Sequence, residues 1–168
     1  AGIGYALRNR RVLARTFPEA FRTAPVRRLR PFVEIWQESL LQLGATRRDD
    51  PRAVLLTPGP YNPAYYEHVY LARELGLTLA RGADLTVREA TVYLKTLDGL
   101  MPVDVIYRRV DGAWCDPLEL REESTLGVAG LIDADRSGNV AIVNLPGSAA
   151  IETPAFAPFL PILSRRLL

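Results

Sequence analysis

The chain has 168 residues, 48% of them hydrophobic and 24% charged, with a formal net charge of +2. That length suits one domain, or one domain with a helical appendage, and it is enough to bury a core without disulfides or metals. The small net charge argues against a dedicated nucleic-acid binder, the single cysteine excludes an internal disulfide and suits a reducing, cytoplasmic compartment, and no apolar run approaches the ~20 residues that span a bilayer.

The opening Ala1-Gly-Ile-Gly-Tyr5 has no initiator Met and no hydrophobic stretch with a cleavage site, so Ala1 is not expected to be a native start, and no signal peptide is expected. Residues 5–15 read as a short helix with Tyr5, Leu7, Val12 and Leu13 toward one side. Pro18 opens a second helical turn and Pro25 ends it; Pro31 starts a clearer helix carrying Phe32, Ile35, Trp36, Leu40 and Leu43, with Gly44 as its stop. The first fifty residues hold Arg8, Arg10, Arg11, Arg15, Arg22, Arg27, Arg28, Arg30, Arg47 and Arg48 against only Glu19, Glu34, Glu38, Asp49 and Asp50. A basic arm at 8–30 that touches phosphates is one reading; a solvated face, or one packed on another part of a larger protein, is the plainer one.

The polar break Thr46–Pro51 divides this helical linker, residues 1–48, from a second unit at 51–168. Ala53–Thr57 is an apolar run suited to a buried parallel strand. A stiff turn, Pro58–Pro63, follows, with Asn62 where an N-cap belongs and Pro63 at the first helical position. A helix from Ala64 to Leu75 stops at Gly76, and Leu77–Ala80 is the second strand, so 53–80 forms one βαβ unit. Leu85–Val87 and Thr91–Lys95 predict a small antiparallel insertion, with a turn at Asp98-Gly99. Val103–Arg108 is a strand, Thr125–Ala134 is weakly helical, Asp135–Gly138 is a turn, Val140–Val143 is a strand, and 149–168 is mostly helical, interrupted by Pro154, Pro158 and Pro161. The last helical pattern carries no C-cap signal, which is expected of a piece of a larger protein. The fold class expected is α/β: a Rossmann-like, open, mostly parallel sheet behind an N-terminal helical segment.

Three strands end in unusual polar sequences: Thr57-Pro-Gly-Pro-Tyr-Asn62, Tyr107-Arg-Arg-Val-Asp111 and Asn144-Leu-Pro-Gly-Ser148. If the strands are parallel, these segments share one rim, where open α/β sheets bind ligands. Arg108 and Arg109 offer bidentate forks for a carboxylate or phosphate, but successive strand residues face opposite ways, so one of the two is expected to reach the crevice and the other to cover a helix or pair with an acid. Asn62 and Asn144 can donate and accept, and Asn62 is equally readable as a helix cap. Gly147-Ser148 opens a helix whose amides favour an anion; Gly59 and Gly147 also serve tight turns, and Asp111-Gly112 is a turn dipeptide. Glu67 and His68 lie on the first turn after the rim. His68 reads as packed rather than catalytic, and Cys115, without a base, as a packed thiol. The chain contains no P-loop, no glycine fingerprint for a dinucleotide after the first strand, and no Cys/His cluster with metal spacing.

At these same residues a resemblance emerges. Gly4-Tyr-Ala-Leu-Arg-Asn-Arg10, Leu56–His68, Tyr93-Leu-Lys-Thr-Leu-Asp-Gly99, Val105–Asp111 and Asn144–Ser148 resemble the circularly permuted ATP-grasp proteins, bacterial proteins related to glutathionylspermidine synthase. The likeness runs over nearly the whole chain and matches the middle portion of longer family members. It implies a pre-ATP-grasp-like fold and a reaction class: Mg-ATP phosphorylates a carboxylate, and the acyl group passes to an amine. The implied partners are a small-molecule acid, an amine and the remaining ATP-grasp lobes; the composition adds the expectation of no membrane and argues against nucleic acid. ATP and Mg belong to the full-length protein; with Lys95 as the one lysine, this portion alone is expected to be inactive. The strand Val105–Arg109 is similar to the one that, in eukaryotic-type glutathione synthetases, ends in a substrate-binding arginine. This implies substrate binding by Arg109, aided by Arg108, Asn62, Asn144, Ser148 and Glu67. The sequence departs from the family at Arg8, where members carry an acid, and at Pro146, in a stretch usually rich in alanine. A non-catalytic binding or interaction module is the alternative.

Overall fold

The computed structural model describes residues 2–150 and 153–167, without the side chain of Ala150. Three helices come first: α1 (Ile3–Thr16), α2 (Pro18–Thr23) and α3 (Arg30–Gln42). Proline stands in the first turn of α2 and of α3, where its missing N–H costs nothing. Strand β1 (Ala53–Leu56), helix α4 (Tyr65–Glu74) and strand β2 (Thr78–Ala80) form the expected βαβ unit. Gly76, at φ +64°, turns the chain out of α4 in a conformation that a Cβ would strain.

Three antiparallel strands follow, β3 (Leu85–Arg88), β4 (Thr91–Thr96) and β5 (Gly99–Pro102). The chain then returns through β6 (Val105–Arg108), α5 (Leu131–Arg136) and β7 (Ala141–Val143). The main sheet has the order β2-β1-β6-β7, with every pairing parallel. The mixed α/β class with a mainly parallel open sheet is therefore observed. Ser148–Ala150 and Pro154–Phe159 form 3-10 turns, and α6 (Leu160–Leu167) closes the described chain. Residues 151, 152 and 168 of the expected helical tail lie outside the described residues.

β5 stands where no strand was expected, and two further positions differ from expectation in ways the packing explains. Thr125–Gly130 is not helical. It is a loop fixed by Val128 N donating to Cys115 O, by Ser124 Oγ donating to Trp114 O, and by a close backbone approach at Gly127, where an added Cβ would stand 2.4 Å from Trp114 O. Asn62 is not the N-cap of α4, because the helix begins three residues later and Ala64 holds the cap position.

β1 and β6 are buried at every position, as expected of strands covered on both faces. Their side chains alternate between two cores. Val54, Leu56 and Ile106 pack with Val92, Val103, Leu131 and Val140, on the side of the antiparallel insertion and α5. Ala53, Leu55, Val105 and Tyr107 pack with Leu71 of α4, Leu75 just after it, Leu7 of α1 and Leu40 of α3. The helical segment thus contributes to the same core as the sheet. Removing a side chain such as Leu71, fully buried here, costs about 2–5 kcal/mol in comparable cores.

Candidate functional site

Because the four strands run parallel, the segments after β1, β6 and β7 emerge along one edge of the sheet. This edge is the shared rim that the strand pattern predicts, and the polar side chains there divide into two groups on opposite faces.

Arg108, the last residue of β6, is buried. Its guanidinium donates to the carbonyls of Asn144, Val110 and Leu145. Asn144 answers by donating its Nδ2 to Arg108 O at 3.2 Å. Asn144 itself sits at φ +64°, a left-handed conformation that asparagine tolerates better than most residues. Arg108 and Asn144 therefore lock the loop after β7 onto the end of β6. Ser148 begins a three-residue 3-10 turn rather than a full helix, and its amide donates to Leu145 O.

Arg109 faces the other way, toward α4, as strand alternation requires. Its amide continues the ladder to Leu56 O at 2.8 Å. Its Nη2 lies 3.3 Å from Glu67 Oε2, and its guanidinium carbon is 6.0 Å from the centre of the Tyr107 ring. The Arg109 side chain is 14% exposed and that of Glu67 is 1% exposed. The second oxygen of Glu67 accepts from the amides of Gly2 and Gly4, at 2.8 and 3.1 Å. These are free N–H groups at the start of α1, whose partial positive charge also favours the carboxylate. A Cβ on Gly4 would stand 2.6 Å from Glu67 Cγ, so glycine is needed for this approach. One carboxylate thus ties α1, α4 and the end of β6 together.

His68 is the next residue and is 2% exposed. Its Nδ1 lies 2.9 Å from Thr57 Oγ1, which also accepts from Gly59 N at 3.2 Å. Burial, reinforced by the nearby Arg109 charge, lowers its pKa to about 4, with Glu67 opposing. His68 is neutral at physiological pH and fixes the turn after β1. Asn62 Oδ1 accepts from Ala64 N at 2.8 Å, a local turn bond that leaves its amide nitrogen without a protein acceptor among the described residues. Cys115 is fully buried, and burial pushes its thiol up to about 11, away from a nucleophile's range.

Sequence reasoning missed Asp116, which is fully buried. Its two oxygens accept from the amides of Leu118, Gly130 and Ile132, holding the start of α5. It also missed the role of Gly2 and Gly4, whose two-glycine spacing was the only available signal.

Lys95 donates to Ala83 O, and no group of three or more His, Cys, Asp or Glu among the described residues is placed to hold a metal.

Comparison with known proteins now supplies the class. The family model for circularly permuted ATP-grasp type 2 matches residues 1–168, and the chain belongs to that family. It is 42% identical over 163 residues to the uncharacterised protein Rv2411c of Mycobacterium tuberculosis, covering 97% of this chain and 30% of that protein. A second mycobacterial protein, the uncharacterised Rv2567, is 40% identical over 168 residues, covering all of this chain and 19% of that protein. The uncharacterised sll0335 of Synechocystis is 40% identical over 161 residues, covering 96% and 34%. The chain spans about a fifth to a third of the length of the relatives it matches. No helix among the described residues is long and apolar enough to cross a membrane.

Proposed function

We propose that the intact protein is an ATP-dependent carboxylate–amine ligase, and that this portion holds the carboxylate of a substrate at the sheet rim. The observation that carries the reading is Arg109: a guanidinium at the carboxyl edge of a central parallel strand, steadied by a buried carboxylate. Among the described residues only its Nη2 is engaged, so Nε and Nη1 remain as separate donors for a ligand, and either becomes one arm of a bidentate fork if Nη2 turns its second N–H to the same ligand. The Asn62 amide is the second donor for the same ligand. Asn144 and Ser148 shape the neighbouring loop, and Arg108 holds that loop through three carbonyls. Glu67 acts through Arg109, as a positioning residue.

ATP and magnesium bind outside this stretch, which is inactive alone. Residues 51–168 are the substrate-side unit, and 1–48 the helical segment linking it to the other lobes. The need for ATP and the unpaired Cys115 favour a cytoplasmic location. The resemblance to proteins related to glutathionylspermidine synthase is the ground for reading the two substrates as an acid and an amine.

The test is to supply the full-length protein with ATP, Mg²⁺ and panels of acids and amines. Release of ADP and phosphate that needs both partners supports the ligase; silence across the panel contradicts it. A second reading, a non-catalytic binding module, draws on Glu67, which already neutralises much of the Arg109 charge, and on the departures at Arg8 and Pro146. It predicts that ligand binding persists without nucleotide turnover.

A further inference from the structure

A cavity of about 720 Å³ opens between α1, α2, α3 and the last turn of α4, away from the rim. Glu74 on its wall follows Glu67 by seven residues on one helix, which places the two about 10 Å apart along the axis. The cavity is in the size range of small-molecule sites. Its apolar lining comes from Leu7, Phe21, Val26, Leu29 and Val33. Five guanidinium groups also line it, against two carboxylates. Arg11 is paired with Glu74 and Arg30 with Glu34. Arg10 lies 5.0 Å from the centre of the Phe21 ring and donates to Arg27 O, which fastens α2 and the segment after it to α1. Arg27 and Arg28 have no acidic partner among the described residues and remain exposed at the cavity.

We propose that this cavity is a second ligand site, distinct from the rim, and that it takes a small organic anion: a phosphate or carboxylate head on Arg27 and Arg28, with an apolar body against Phe21, Val26 and Val33. Unpaired guanidinium groups beside an apolar hollow are complementary to such a molecule on both counts. The arginine-rich arm of the sequence thereby gains a role that its net charge alone does not specify. A concave site between helices fits a small molecule better than a nucleic-acid duplex, which needs an extended basic surface. The proposal does not depend on the ligase reading.

The experiment titrates the full-length protein with phenyl phosphate, benzoate and inorganic phosphate by calorimetry. The site predicts saturable binding of phenyl phosphate, weakened about tenfold or more by Arg27→Ala/Arg28→Ala and unchanged by Arg109→Ala. Phe21→Ala should weaken phenyl phosphate more than inorganic phosphate, which separates a cavity from a merely charged patch. Compared in the Arg109→Ala variant, where the rim no longer contributes, stronger binding of phenyl phosphate than of benzoate identifies the head group as phosphate, and the reverse identifies carboxylate. No saturable binding at millimolar concentration, equal affinity in the double variant, or loss in Arg109→Ala would overturn the proposal. So would a steeply salt-dependent preference for nucleic acid over the small anions.

Discussion

Glu67 holds Arg109 from within the core: its Oε2 lies 3.3 Å from Arg109 Nη2, while its Oε1 accepts the first amides of α1. The pair therefore joins the sheet rim to a helix more than sixty residues away in sequence. Removing the carboxylate leaves the guanidinium and two amides without their partner. Glu67→Ala should cost about 3 kcal/mol, the range for breaking a buried pair from one side, and Glu67→Gln less, since its amide oxygen can still accept. Hydrogen exchange of the full-length protein checks this: α1 should lose protection first, and unchanged exchange there would be inconsistent with the tie.

Gly4→Ala tests the same junction sterically. The new Cβ would meet Glu67 Cγ at 2.6 Å and Leu71 Cγ at 3.3 Å, both on a packed helix. Overpacking of this kind costs about 1–3 kcal/mol. The expected result is a lower unfolding midpoint together with weaker binding at the rim, because Glu67 must move away from Arg109.

His68 predicts a pH dependence. Its folded pKa is lowered to about 4 from 6.5, so between these values the unfolded chain binds more protons. Its contribution to stability is complete above pH 6.5 and is lost as the pH falls toward 4, on the order of 3 kcal/mol at most. Other acids titrate in that range, so the readout is a difference. Stability of the wild type should fall more steeply than that of His68→Asn between pH 7 and 4.5, and parallel curves would contradict the assignment.

Much of the fold was legible. The βαβ unit at 53–80 and the strands at 105–108 and 141–143 are apolar runs between turn signals, and local pattern suffices for those. β5 was missed because Gly99-Leu-Met-Pro102 lacks β-branched residues; it is a strand because a turn at Leu97-Asp98, one residue before the expected one, folds it back on β4 with Gly99 opposite Thr96. The region 125–130 misled because its helix-compatible residues are overruled by backbone contacts with 114–116. At the site, chain alternation correctly separated Arg108 from Arg109. The partners of Glu67 and Asp116 were not legible, since a bond between distant residues leaves no periodic trace.

Arg108 predicts a loop effect rather than a direct binding effect. Its planar fork serves three carbonyls, a pattern that a lysine ammonium cannot reproduce. Arg108→Lys should raise proteolytic cleavage and hydrogen exchange at 144–148 while leaving α1 unchanged. A uniform destabilisation of the whole chain would argue against a local lock.

The most direct measurement is the Michaelis constant for the acid substrate in full-length wild-type protein and Arg109→Ala, following ADP release with saturating ATP, Mg²⁺ and amine. If Arg109 holds the carboxylate, the constant for the acid rises about tenfold or more, that for ATP changes little, and Arg109→Lys recovers part of the loss. An unchanged constant for the acid in Arg109→Ala, with turnover intact, would contradict it.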